Sequence, residues 1–115
     1  MRKIKRGQIW EAYLDGIGSE QKGTRPVLIL QNDMGNKYST TTIIAIITSR
    51  STKADLPTHY WIDNTKSTGL RVPSMVELEQ IRTIDKARLK KYLGVVNVSD
   101  MPNINRKIKI SLGLK

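Results

Sequence analysis

At 115 residues with no cysteine, one histidine and a formal net charge of +10, the chain excludes several chemistries before any motif is read. Disulfide scaffolds, thiolate nucleophiles, cysteine zinc sites and histidine-rich metal clusters all lack their ligands. The surplus of 20 Lys and Arg over 10 Asp and Glu favours polyanion partners: nucleic acid first, an acidic protein segment second, an anionic membrane third. Plain solubilisation by surface lysine is the alternative.

This length implies one domain, residues 1–115, able to bury roughly two-thirds of its unfolded surface. No apolar run approaches membrane-spanning length. The basic start (Arg2, Lys3, Lys5, Arg6) is not followed by a signal-peptide core, so the expectation is a soluble cytoplasmic protein. Residues 6–14 alternate after Gly7 and predict a first strand. Asp15-Gly16-Ile17-Gly18 is turn chemistry and opens a polar loop ending at Gly23-Thr24-Arg25-Pro26. Pro26 biases Arg25 toward extended backbone, so its guanidinium projects from the start of a buried strand over 27–30.

Residues 31–36 read as a polar turn, and the β-branched run 41–48 as a strand buried on both faces. Segment 49–55 is polar and basic, with Arg50 and Lys53 expected at the surface. Leu56-Pro57 leads into a short aromatic strand over 58–62. Pro73 places the next strand start near Ser74, and Val76/Leu78 against Glu77/Glu79 gives period-two patterning with the glutamates on a solvated face. Asp85 predicts a capped short helix over 86–92, stopped by Gly94, with a short strand over 95–98. Ser99 is the expected cap of a last helix, with Pro102 in its first turn and Ile104, Ile108 and Leu112 on one face. Short strands separated by turns, with two small helices, predict a mainly β (α+β), mostly antiparallel barrel.

Among candidate chemistries, a nucleophile triad would need His59, which has no nucleophile motif nearby. Glu77 and Glu79 have no third metal ligand in the sequence around them. Phosphate-directed groups remain: Arg25, Thr48, Arg50, Lys53 and Arg82, with Ser19, Gln21 and Gln80 as uncharged hydrogen-bonders. Thr48 closes the apolar run 43–47, where its hydroxyl either emerges at a sheet end or bonds to backbone. Trp10, Tyr13, Tyr60 and Trp61 either stack on bases or fill the core.

These segments together resemble one family. They are Arg6-Gly7, Gly18-Ser19-Glu20-Gln21, Thr24-Arg25-Pro26-Val27-Leu28, Gln31-Asn32-Asp33 with Gly35-Asn36, Ile47-Thr48, Leu56-Pro57-Thr58-His59, the stretch 78–85 and the stretch 110–114. In this order they are similar to the MazF/PemK bacterial toxin endoribonucleases, especially those of Gram-positive bacteria. The resemblance implies a homodimer of SH3-like barrels of the MazF/CcdB toxin type with a C-terminal helix. It also implies metal-independent, cofactor-free cleavage of single-stranded RNA by attack of the 2′-hydroxyl on the adjacent phosphate.

The resemblance assigns the cleavage site to Arg25 and Thr48, and RNA contacts to Ser19, Glu20, Gln21, Arg50, Leu56, Pro57, Ser74 and Gln80. The implied partner is an acidic, MazE-like antitoxin that displaces the 19–21 loop; no membrane partner is implied. A gyrase-poisoning toxin on the same barrel and a non-catalytic basic RNA-binding module are the alternative readings. The chain departs from the family pattern at Lys22-Gly23, at Pro73-Ser74 with Glu77, and in its basic last helix around Arg106, Lys107 and Lys109.

Overall fold

The run 41–48 becomes the strand that the rest is built around, because β-branched residues on both faces leave it no solvated side. A computed structural model describes residues 2–16, 23–49, 56–63 and 65–115. Its elements are β1 (Gln8–Leu14), β2 (Gly23–Ile29), α1 (Asp33–Tyr38), β3 (Thr41–Thr48), β4 (His59–Ile62), β5 (Ser74–Asp85), β6 (Leu89–Val95) and α2 (Met101–Leu112). The strands form one six-stranded sheet in the order β4-β5-β3-β2-β1-β6, and every pairing is antiparallel. The expected mainly β architecture with a C-terminal helix is what the chain forms.

Both faces of β1, β2 and β3 are buried, and alternate residues divide between two clusters. Ile9, Leu28, Ala45 and Ile47 join Ile62, Leu70, Val76 and the fully buried Ile104 of α2. Trp10, Ala12, Val27, Ile29, Ile44 and Ile46 pack on the other side with Ile84 and Leu89. Each fully buried aliphatic side chain contributes about 1.5–3 kcal/mol, which makes this double-sided core the main source of stability. Trp10 belongs to it, 3% exposed, edge-on to Tyr92, so the core reading of that aromatic holds. Trp61 and Tyr13 stay about half exposed.

The sheet bends where β5 changes partners. Ala45 pairs with Ile81, but the next β3 residue, Ile46, pairs with Glu77, so residues 78–80 bulge out of the ladder. A bulge bends its strand and re-aims side chains. It lets one twelve-residue strand serve β3 along its whole length and still hold β4 on its other edge. It also corrects the period-two expectation for this strand. Glu77 is 6% exposed, not on a solvated face, whereas Glu79 is exposed.

Other expectations shift too. Residues 31–36 are not only a turn, because Asn32 caps α1 by accepting from the Gly35 N–H. Asp85 does cap, accepting from the Ala87 N–H at 2.8 Å. The turn it starts is a three-residue 3₁₀ turn, Lys86–Arg88, and most of the expected helix is instead β6. The expected strand over 95–98 is therefore displaced to 89–95. α2 is preceded by a 3₁₀ turn whose Asn97 and Asp100 form a capping box, so Ser99 is not the cap. Ile104 is fully buried but Leu112 is 58% exposed, so the apolar stripe loses its cover in the last turn. Among the described residues no helix is long and apolar enough to cross a membrane.

Candidate active site

The β2–β3 ladder sets the geometry. Val27 pairs with Ile46, Leu28 with Ala45 and Ile29 with Ile44, an antiparallel register in which paired numbers add to 73. The ladder ends at Val27 and Ile46, and Arg25 and Thr48 each lie two residues further along their strands. Both line one cavity of about 410 Å³, within the usual range for a ligand site. Its first wall is Thr24, Arg25 and Pro26, its floor Ile47, Thr48 and Ser49, and its second wall Leu70, Arg71, Val72 and Ser74. Thr48 is 6% exposed, held in the sheet with Met75 as its β5 partner.

The second wall is fixed by close backbone packing. A Cβ at Gly69, whose φ is +69°, would run into the Leu93 carbonyl, and one at Gly94 into the Ser67 carbonyl. The Val95 N–H donates to that same Ser67 carbonyl at 2.8 Å. Thr68 is fully buried, Leu70 6% exposed, and the Leu70 N–H donates to the Thr68 hydroxyl at 3.3 Å. The Ser74 hydroxyl donates to the Val72 carbonyl at 2.9 Å, closing the segment onto β5. The loop is thereby pinned to β6 at one end and to β5 at the other.

A second cavity, about 500 Å³, is lined by Leu56, His59, Trp61, Met75 and Lys107. Both cavities draw on the start of β5, where Ser74 lines the first and Met75 the second. The Leu56 N–H donates to His59 Nδ1 at 3.3 Å, leaving the ring proton on Nε2, which lies 2.9 Å from Glu79 Oε2. The Thr58 hydroxyl donates to the other Glu79 oxygen at 2.9 Å. Burial raises the Glu79 carboxyl, but the hydrogen bonds from His59 and Thr58 outweigh it and hold the group below its ordinary 4.5.

The fold therefore supplies the third donor that the sequence lacked beside the two glutamates. Ligand atoms of His59, Glu77 and Glu79 lie within 4.8 Å of one another. With one ring nitrogen accepting from Leu56 and the other aimed at Glu79, the histidine is already spent on protein partners. The arrangement reads as a hydrogen-bonded positioning group for Leu56.

The predicted site residues thus separate. Arg25, Thr48 and Ser74 come together in the first cavity; Leu56 lies in the adjoining one, with Pro57 exposed beside it. Gln80 lines neither, being half-buried in the β5 bulge. Arg82 is drawn away to a third cavity with Asp15 and Arg88, where it donates to the Asp15 carbonyl. Ser19, Glu20, Gln21, Arg50 and Lys53 lie outside the described residues. Sequence reading missed Leu70, Arg71 and Val72, and its only local signal there was Gly69.

A six-stranded antiparallel sheet with a C-terminal helix and a cleft lined by an arginine and a threonine defines a small, basic, mainly β protein. The chain belongs to the PemK-like, MazF-like toxin family of type II toxin–antitoxin systems, whose family model matches residues 5–112. It is 50% identical to the endoribonuclease MazF of Staphylococcus saprophyticus over 112 residues, 96% of this chain and 92% of that relative. Among solved structures, it is similar to a mycobacterial endoribonuclease in complex with its cognate antitoxin, with a TM-score of 0.78 at 26% identity over 97% of each chain. Mycobacterium tuberculosis toxin MazF-mt6 gives a TM-score of 0.78 at 29% identity, covering 94% of this chain and 98% of that one. MazF of Deinococcus radiodurans shares the fold, with a TM-score of 0.81 at 22% identity over 99% and 100% of the two chains.

Proposed function

We propose that this toxin is a sequence-specific endoribonuclease and that single-stranded RNA, mRNA in particular, is cut in the cavity shared by Arg25 and Thr48. The observation that carries this reading is that Arg25 and Thr48 line one preformed cleft, each two residues beyond the last β2–β3 pair, Val27 with Ile46. In the reaction the ribose 2′-hydroxyl gives up its proton and attacks the adjacent phosphorus, and the bond to the 5′-oxygen breaks as that oxygen takes up a proton. The products are a 2′,3′-cyclic phosphate, which water opens to a 3′-phosphate, and a 5′-hydroxyl. The RNA brings its own nucleophile, so a chain without cysteine and with one histidine is chemically sufficient.

Negative charge grows on the non-bridging phosphate oxygens as the pentacoordinate state forms. Arg25 donates to them in a partly water-excluded pocket, where a fixed donor is worth most. Thr48, buried at the end of β3, loses little freedom on binding and orients the phosphate. Arginine stays protonated far above neutral pH, so Arg25 stabilises charge and does not take the 2′-hydroxyl proton. Ser74 and Leu56, with Pro57 beside it, extend the site along the strand. Ser19, Glu20, Gln21, Arg50 and Gln80 complete RNA contact in this reading.

The reaction runs in the cytoplasm without a metal ion or cofactor. The +10 net charge suits an acidic antitoxin that folds onto the toxin. The exposed Ile110, Leu112 and Leu114 suit a homodimer.

The test is cleavage of total RNA in excess EDTA by wild type and Arg25→Ala. Wild type should cut, and the variant should lose about 10²-fold or more of the rate with its fold retained, the scale of a lost oxyanion-type donor. Undiminished cutting by Arg25→Ala would remove Arg25 from the mechanism, and loss of wild-type cutting in EDTA would make the reaction metal-dependent.

A further inference from the structure

The second wall of the cleft carries a cation that neither the sequence motifs nor the mechanism uses. Arg71 lines the cavity of Arg25 and Thr48 from the opposite side, on a segment that no backbone pairing joins to β2 or β3. It is exposed. Among the described residues it makes no hydrogen bond or ion pair, in contrast to Arg6, which is spent on the Leu30 carbonyl and Asn105, and Arg88, which pairs with Asp15 at 2.9 Å.

An exposed arginine usually sweeps a wide volume, and ordering it costs side-chain entropy. Here the backbone that carries it is already ordered. Its neighbour Leu70 is buried in the core, Gly69 lies against the Leu93 backbone where no Cβ fits, and Ser74 holds the Val72 carbonyl. The base of the side chain is thus fixed relative to β3, and the guanidinium faces a cleft whose other cation is Arg25. Val72, 49% exposed, leaves an apolar lip beside it.

Resting on the reading above, in which Arg25 and Thr48 take the scissile phosphate, we propose that Arg71 is a positioning residue that clamps a neighbouring phosphate of the same RNA strand. Two cations lining one cleft suit two phosphates of a strand crossing it, and the planar guanidinium is suited to bidentate phosphate binding. Arg71 makes this contact in the ground state and the transition state alike. It therefore contributes to binding and register, not to the chemical step.

The test compares wild type, Arg71→Ala, Arg71→Lys and Arg25→Ala on one single-stranded RNA oligonucleotide containing a mapped cleavage site. Affinity is read with the same oligonucleotide carrying a 2′-deoxy sugar at that site, across a salt series. Arg71→Ala should raise KM and Kd about tenfold or more, from the low end of the range for one hydrogen bond to a charged group upward, with kcat within about threefold of wild type. Its log K against log salt slope should be shallower by about 0.7, one phosphate contact on a single strand. Arg71→Lys should restore the slope while recovering only part of the affinity.

An Arg71→Ala protein with wild-type Kd and salt slope overturns the proposal, as does one whose whole loss is in kcat. Weakened binding of an acidic antitoxin peptide with RNA affinity unchanged overturns it too, assigning Arg71 to the protein partner. Failure of the underlying reading looks different: Arg25→Ala then cuts like wild type, or wild type does not cut at all.

Discussion

His59 illustrates how a residue that composition alone singles out can be explained by its two ring nitrogens. Nδ1 accepts from the Leu56 backbone and Nε2 faces Glu79, so the ring ties the 56–58 segment to β5 and sets where Leu56 enters its cavity. Glu79 titrates below its ordinary value. A depressed carboxyl contributes stability that is fully present above the unfolded value near 4.5 and is lost as pH falls through the folded one. Urea unfolding between pH 6 and 3 should therefore show a falling midpoint for wild type and a flatter acid limb for Glu79→Gln; identical limbs would remove Glu79 from the acid transition. Tyr60 has the opposite sign. Burial and the 2.6 Å hydrogen bond to Asp100 raise its hydroxyl above 10.0, so its contribution is present below pH 10 and is lost as pH rises through the folded value. Tyr60→Phe should lose stability at neutral pH and show less alkaline dependence than wild type.

At the scale of elements, legibility followed locality. The strand 41–48 was readable because its β-branched run means the same thing in any context. Asn32 and Asp85 carried true cap signals, but a cap says where a helix starts, not how long it lasts. After Asp85 the chain turns once and becomes β6. The pairing of β6 with β1 breaks register between Ile9 and Trp10 and again between Glu11 and Ala12, so Leu89, Tyr92 and Leu93 never show a clean period of two. Glu77 was misplaced for a similar reason: the β5 bulge and a second partner strand decide which side is wet, and neither is visible in five residues of pattern. The cleft itself was legible only in part. Arg25 and Thr48 were each plausible anion binders, yet their meeting depends on the β2–β3 register. Arg71 joins them only because Gly69 and Gly94 let two backbones touch. Gly94→Ala should accordingly destabilise by about 1–3 kcal/mol, the scale of overpacking, read as a lower urea midpoint with unchanged m-value. It should also slow RNA cleavage, by shifting the second wall; a stability loss without any loss of cleavage would uncouple that wall from the site.

Over the whole molecule the dominant quantity is charge. A +10 surplus on a body with a Cα radius of gyration of 13.1 Å attracts flexible polyanions, and in the proposed function RNA and an acidic antitoxin share that attraction. Association with an acidic antitoxin should slow about tenfold or more as salt is raised from low to well above physiological levels, because steering is screened once the Debye length falls below the size of the basic surface. Stopped-flow rates independent of salt would count against electrostatic capture. In the proposed reaction charge brings the strand to the cleft, and the chemistry rests on Arg25, Thr48 and the RNA's own hydroxyl. The most direct measurement is therefore made on the substrate: a single-stranded RNA with one 2′-deoxy sugar at its mapped cleavage position, incubated with the toxin in EDTA beside the all-ribose strand. The all-ribose strand should be cut to a 2′,3′-cyclic phosphate and a 5′-hydroxyl end while the deoxy strand stays intact at that position. Cleavage of the deoxy strand there would show that the nucleophile comes from elsewhere and would contradict the mechanism.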